Sequence, residues 1–441
     1  MRVLLYSYNY YPEPIGIAPL MTELAEGLVK KGHQVRVVTA MPNYPERKIY
    51  PDYRGQIYRR EVRNGVEIDR CFVAIRPKPG LVARAMLESS FAILSFFKAI
   101  GGWRPDVILS TSPSLPACVP VAATKAFYRC PVILSLQDIL PEAAVQTGLL
   151  SNKFAIKVFE QLEKFAYASA TKIGVITPSF AHNLVGKGVS PAKMECISNW
   201  VDVSAVRPLP KESNAFRLAH GLEDKFVVLY SGNIARTQGV RTIIRAALQL
   251  QDNPDIRFVI VGEEGQLADL DELRQKLGVN NVVLRPFVSK EEFPEMLAAA
   301  DVSLIMQKRN VVGFNMPSKT QKIMASGRPI IASVPLQGSA AEAVLQSGSG
   351  IVIEPESPTE LAKAIQTLYD DPEKLEDLGK RGRQFAIANY SFDQALNAYE
   401  ALLRSVLEPE LFKSSLPQKP VQKPVVALAQ EIRGSDLKEV S

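Results

Sequence analysis

Twice along its length the chain repeats one pattern: a short apolar run rich in β-branched residues, a polar loop, then an amphipathic stretch of helical length. In the first half the runs are RVLLYSY, QVRVVTA, PDVILST, PVILSLQ, KIGVIT and MECIS; in the second they are FVVLYSG, IRFVIVG, NVVLRPF, DVSLIMQ, PIIAS and GIVIE. Runs that are apolar at successive positions suit strands covered on both faces, which helices crossing over a parallel sheet provide. Two sets of runs predict two doubly wound α/β domains in series, and 441 residues are too many for one ordinary core. The join is expected in Asn199 to Asn214, where Pro208 and Pro210 interrupt any regular element. The expected domains are 1–205 and 206–385, followed by a C-terminal helix over 386–407 that packs back on the first domain. Residues 408–441 alternate Pro, Lys, Gln and Ser and are expected to form a flexible tail.

Several chemistries lack their residues. The four cysteines are far apart with no C-x-x-C pair, so neither a disulfide framework nor a zinc site is indicated, and a reducing cytoplasmic setting is expected. Only His33, His182 and His220 occur, and there is no H-E-x-x-H, no D-x-D pair at a strand end, no G-x-S-x-G and no G-x-G-x-x-G. No metal, nicotinamide cofactor or nucleic-acid partner is expected. Charge is uneven: residues 1–205 carry a net +8 and the remainder −2, which fits a first half that meets something anionic as well as it fits scattered solvated charge. Leu81 to Ile100 is apolar over much of its length but includes Arg84, Glu88 and Lys98. It reads as an amphipathic helix that either lies on a bilayer or packs in a core.

In open parallel sheets, ligands bind beyond the carboxyl ends of the strands. After the first strand, Gly16 would let a phosphate or sugar approach the backbone. After VILSLQ come Asp138 and Glu142. A carboxylate here orients a hydroxyl or acts as a base, and an Asp equally serves as an ordinary N-cap. In the second half, Gly232, Asn233, Arg236 and Gln238 share one strand-to-helix turn. In GFNMPSKTQKIMASG, Pro317 suits a first helical turn, Asn315 is the expected N-cap and Gly327 the stop. Met316, Thr320, Ile323 and Met324 form one apolar face, and Ser318 and Lys319 stand where free N–H groups favour an anion.

The succession GHQVRVVTAMPNYP, QDILPEAAVQTGLL, ISNWVD, YSGNIARTQGV, MPSKTQKIMASGRPIIAS and GSGIVIEPESPTELAKAI resembles bacterial family-4 glycosyltransferases of the colanic-acid and O-antigen branch, over Met1 to Leu407. The resemblance implies a GT-B fold: two Rossmann-like domains facing across a cleft, with a nucleoside-diphosphate-sugar donor on the second and a lipid-linked saccharide acceptor on the first. It implies transfer with retention and no bound metal, while the +8 half and the Leu81 to Ile100 helix lead to the expectation of a cytoplasmic protein able to sit at the inner face of the plasma membrane.

Residue by residue, the two glutamates of the family's E-x7-E motif fall here on Phe314 and Lys322, leaving Glu342 as the substitute for the ribose contact. The usual diphosphate-gripping Arg and Lys fall on Asn233 and Gln238, leaving Arg236 and Lys319 as the nearby cations. Asn315, Met316, Ser318 and Lys319 would then lie against the diphosphate and sugar, Phe287 at the base, and Asn43 and Tyr44 at the acceptor. Lys319 and Asp138 are the catalytic candidates. Two other readings share the architecture: a sugar-nucleotide 2-epimerase, and a non-catalytic GT-B subunit that binds a glycan or a partner.

Overall fold

The computed structural model describes residues 1–14, 16–76, 80–112, 114–142, 145, 150, 152–235, 237–311 and 316–408. The chain divides into two compact units, the first Met1–Asn199 plus the chain from Ala395, the second Trp200–Gln394. The expected boundary at residue 205 therefore falls at Asn199, and the expected tail lies outside the described residues from 409 on.

In the first unit, eight strands form one sheet: β1 (Arg2–Tyr6), β2 (Gln34–Ala40), β3 (Tyr58–Arg63), β4 (Val66–Cys71), β5 (Val107–Thr111), β6 (Val132–Leu136), β7 (Lys172–Val175) and β8 (Met194–Cys196). Their order is β3-β4-β2-β1-β5-β6-β7-β8, and the direction of winding reverses between β1 and β5. Every pair is parallel except the β3–β4 hairpin, in which Arg63 faces Val66 across Asn64 and Gly65. Both turn residues have positive φ (48° and 81°), the conformation that an Asn-Gly turn supplies.

Helix Leu81–Ile100 is pinned to this sheet by a buried cation. The Arg36 guanidinium, on β2, donates to the carbonyls of Lys98 and Ala99 at 2.8 Å each and lies 5.1 Å from the centre of the Trp103 ring. Carbonyls left open by the helix end thus find a donor without water.

The second sheet contains β9 (Phe226–Ser231), β10 (Ile256–Gly262), β11 (Val282–Pro286), β12 (Val302–Met306), β13 (Ile330–Ser333) and β14 (Gly350–Ile353). Its order, β11-β10-β9-β12-β13-β14, is the doubly wound order, reversing between β9 and β12. Separate apolar clusters cover its two faces, one with Val227, Leu229 and Ile305, the other with Val228, Tyr230 and Leu304. At the opposite edge Asp301 accepts from the buried Arg217 at 2.5 Å and from the amide of Val227 at 2.7 Å.

The expected C-terminal helix is split. Pro372–Tyr390 belongs to the second unit, Ser391 is extended, and Phe392–Ser405 starts a new helix that joins the first unit from Ala395. There Tyr399 shares a hydrogen bond with Ser135 at 2.8 Å, Leu402 packs on Gly174, and Glu400 accepts from Lys31 at 2.5 Å.

The Lys31 ammonium, helped by Arg404, pulls the Glu400 carboxyl down to about 2 from 4.5. A depressed carboxylate adds stability above its unfolded value and loses it as pH falls. Glu400→Gln should therefore cost on the order of 1 kcal/mol at neutral pH in urea unfolding. The gap to the parent should close as pH drops below 4.5.

Candidate donor and acceptor sites

A cavity of about 360 Å³ opens in the second unit where its winding reverses. Its walls come from the end of β9 (Ser231, Gly232, Asn233), the segment after β11 (Phe287, Val288) and the start of helix Lys319–Ala325. Lys319 is part of this wall. The residue as a whole is half-buried, but Nζ has no accessible surface and no hydrogen-bond partner among the described residues. It stands 3.9 Å from the centre of the Tyr230 ring, whose negative face attracts it. Burial pushes its pKa down to about 7.

Gly232 makes the room. Its φ is +143°, and a Cβ there would lie 2.8 Å from Lys319 Nζ. A second buried polar atom without a partner, Ser303 Oγ, also belongs to a wall residue. A second cation, Lys322, lines the cavity 5.1 Å from the Phe293 ring, its pKa lowered by partial burial and then by Lys290. No carboxylate side chain appears among the lining residues. Two cations without an acid suit a ligand carrying at least two negative charges.

The structure sorts the donor candidates. Gly232, Asn233, Gln238, Phe287, Ser318 and Lys319 share the cavity, with Phe287 54% exposed at its rim. Arg236 and Asn315 lie outside the described residues. Two candidates do not reach the cavity wall. Met316 packs against the core cluster, with its sulfur 3.9 Å from Gln321 Nε2. Glu342 is buried in helix Ser339–Ser347 and accepts from Gln346, one turn on. The helix cap also shifts: helical structure starts at Lys319, so Ser318 holds the N-cap place, and its side chain makes no capping bond. With seven residues the helix has a weak dipole, so Lys319 itself is the principal source of positive charge. Sequence reasoning missed Tyr230, Ser303 and the placement of Lys322, because two of these sit in strand runs that read as core.

In the first unit, the carboxyl ends of β1 and β2 are tied by Glu13, which sequence reasoning passed over. Glu13 is buried; Oε1 accepts the amides of Asn43 and Tyr44 at 2.8 and 2.9 Å, and Oε2 accepts from Asn9 at 2.7 Å. Asn43 is turned inward, its side-chain amide donating to Met41 O at 2.8 Å, whereas Tyr44 stays exposed. Of the acceptor pair, then, Asn43 shapes the loop and Tyr44 presents a surface. Gly16, in the same region, has φ +72° and open space where a Cβ would point.

Asp138 follows β6 on a bend held by Gln137, which donates to Ser135 at 3.0 Å and accepts from Asn199 at 2.8 Å. The Asp138 side chain is open to water on one side yet densely surrounded, and that partial desolvation moves its carboxyl up to about 6. Glu142 does not stand free beside it. It pairs with Lys187 at 3.2 Å and accepts from Asn183 at 3.1 Å, in a separate cavity of about 650 Å³. Among the described residues, no three His, Cys, Asp or Glu side chains converge as metal ligands would.

Two doubly wound domains, the second with an electropositive cavity at its switch point, define a two-domain α/β transferase class. Solved structures agree. Anabaena Alr3699/HepE in complex with UDP superposes with a TM-score of 0.69 at 18% identity, covering 92% of this chain and 100% of that one. Sucrose-phosphate synthase from Thermosynechococcus elongatus gives 0.70 at 18% identity, covering 94% and 100%. The fold is GT-B. The Glycosyl transferase 4-like domain model matches residues 16–200, and the Glycosyl transferases group 1 model matches 212–385. The chain is 30% identical over 374 residues to an Escherichia coli protein named as a colanic acid biosynthesis glycosyl transferase, WcaI, covering 83% of this chain and 91% of that one. It is 29% identical over 311 residues to a Pseudomonas aeruginosa protein named as a glycosyltransferase, WbjE, covering 69% and 76%. The chain belongs to the family-4 glycosyltransferases.

Two measurements check the cavity. Gly232→Ala should displace Lys319 and weaken nucleoside-diphosphate binding on the order of ten- to a hundredfold, the worth of one charge-assisted hydrogen bond. Calorimetry in buffers of different ionisation enthalpy should show proton uptake on binding, because free Lys319 is largely neutral between about 7 and 10.5 and a bound anion restores its charge. Uptake should approach one proton near pH ~8, fade near pH ~6, and disappear in Lys319→Met.

Proposed function

We propose that this glycosyltransferase moves a sugar from a nucleoside-diphosphate donor to a lipid-linked saccharide of a surface polysaccharide, with retention of configuration and no bound metal, at the inner face of the plasma membrane. The observation that carries the donor assignment is the unpartnered, buried Lys319 ammonium beside Gly232. It supports a diphosphate at that point, and the UDP and UDP-glucose complexes of HepE support a nucleotide sugar as the form in which the diphosphate arrives. Charge grows on the leaving diphosphate as the glycosidic bond lengthens, so the Lys319 cation binds the transition state more tightly than the ground state. Ser318 and the cavity amides assist, and Phe287 offers its exposed ring to the base.

The bond from the anomeric carbon to the diphosphate oxygen breaks while the acceptor oxygen bonds to the same face of that carbon. The acceptor hydroxyl proton passes to the departing phosphate oxygen, which removes the need for a histidine base. Asp138 orients the acceptor hydroxyl, and Tyr44, held by Glu13, offers the acceptor a ring. WcaI and WbjE support the polysaccharide setting, because one is named for colanic acid biosynthesis and both are glycosyltransferases. The comparisons lend nothing to the epimerase or non-catalytic readings.

A thermal-shift screen against UDP, GDP, ADP and dTDP, each with and without a chelator, tests the reading. One nucleotide should raise the midpoint in both conditions, because a ligand that binds only the folded state stabilises it. Lys319→Ala should abolish that shift and slow transfer on the order of ten- to a few-hundredfold. No shift with any nucleotide, or a shift that the chelator removes, would rule the proposal out.

A further inference from the structure

Three neighbouring helices of the first unit turn apolar side chains outward. On Leu81–Ile100 the inward stripe is Ala83, Phe91, Ser95 and Ala99, all buried. The opposite stripe is Val82, Met86, Ile93 and Phe97, with Val82, Ile93 and Phe97 exposed at 64, 60 and 58%. Apolar side chains gathered on an outer face mark a contact surface, yet among the described residues nothing covers this outer side. Helix Cys118–Tyr128 packs beside it and exposes Val119 and Phe127, the latter at 61%. Helix Lys153–Ser169 packs beside that one and exposes Phe154, at 78%, with Val158 and Phe165.

We infer that this three-helix face is a docking surface for an anionic lipid bilayer. The inference rests on the membrane setting proposed above and names the surface responsible. Cations are interleaved with the apolar stripes: Arg84 on the first helix, Arg129 just past the second, and Lys153, Lys157 and Lys164 on the third, all exposed. Glu160 is the exposed acid on the same three helices. Apolar side chains that enter the acyl boundary, with lysines at headgroup level, match an anionic membrane surface. Pairing of two copies through this face would bring these cations together and repel. The face lies on a bilayer rather than crossing it: among the described residues no helix is long and apolar enough to span. The position of the first helix is fixed by Arg36 at its C-terminal end and by Phe91 within the core, so the outward stripe cannot roll inward to hide.

Flotation of the full chain with phosphatidylcholine–phosphatidylglycerol vesicles, against phosphatidylcholine alone, tests the assignment. The parent should float with the anionic vesicles and release as salt rises. Ile93→Ser with Phe97→Ser, and separately Phe127→Ser with Phe154→Ser, should each lower partitioning on the order of tenfold or more. Lys157→Glu with Lys164→Glu should remove the preference for anionic lipid. These side chains are exposed, so the variants should keep the parent's unfolding midpoint and nucleotide response. Flotation unaffected by all three pairs would overturn the assignment, as would a dimer that ignores vesicles and is split by the serine variants. Flotation without any nucleotide response would instead leave the surface standing and remove the donor reading.

Discussion

An ammonium group without a counter-charge governs the second unit. Burying Lys319 costs free energy, as its lowered pKa records, and three features keep it in place nonetheless. The Tyr230 ring offers its face, the missing side chain of Gly232 leaves space, and Tyr230 is itself anchored by a 2.8 Å hydrogen bond to Asn233 O. The ring and the glycine both belong to the end of β9, whose flanking strands reverse the winding of the sheet. The topology places the cavity, and no acid among its lining residues compensates Lys319.

The first unit uses charge in the opposite way, since its buried acids are satisfied. Glu13 spends its oxygens on two successive backbone amides and one side-chain amide, fixing the loop that carries Tyr44. Asp69 is shared between Arg36 and Arg60, with Arg60 Nε at 2.9 Å from Oδ1. A satisfied polar network rigidifies what it joins, whereas an unsatisfied one waits for a ligand.

Legibility in the sequence followed the same division. Twelve of the fourteen strands described were visible as apolar runs, because burial on both faces leaves a run with little polar interruption. The Tyr58–Cys71 hairpin was missed although Asn64-Gly65 marks its turn: its first strand, Tyr58–Arg63, is mostly charged and sits at the sheet edge, where alternation rather than apolarity is the signal. Lys319 drew attention as a cation beside a helix start, and the structure places it on the cavity wall. Glu13 did not, because its partners are backbone amides some thirty residues away and carry no side-chain signature. Glu342 and Met316 were assigned from motif position alone, and the direction in which a side chain points depends on packing that a motif does not encode.

The magnitudes point to side-chain cations rather than to the helix end as the source of positive charge at the cavity. A helix end contributes about 0.3 to 1 kcal/mol, and less than a full turn's effect is expected from a helix of seven residues. A charge-assisted hydrogen bond contributes about 1.5 to 3 kcal/mol. The long-range field does not help, since residues 206–441 carry a net −2, and at physiological salt exposed charges are screened beyond about 8 Å. What remains is local: Lys319 and Lys322 on successive turns, facing a cavity whose walls supply no carboxylate. In the first unit the cations are exposed instead: Lys153, Lys157 and Lys164 stand in water on the helix that also exposes Phe154 and Phe165. One chain thus holds two forms of positive charge, buried and exposed, and burial sets how strongly solvent and salt screen each.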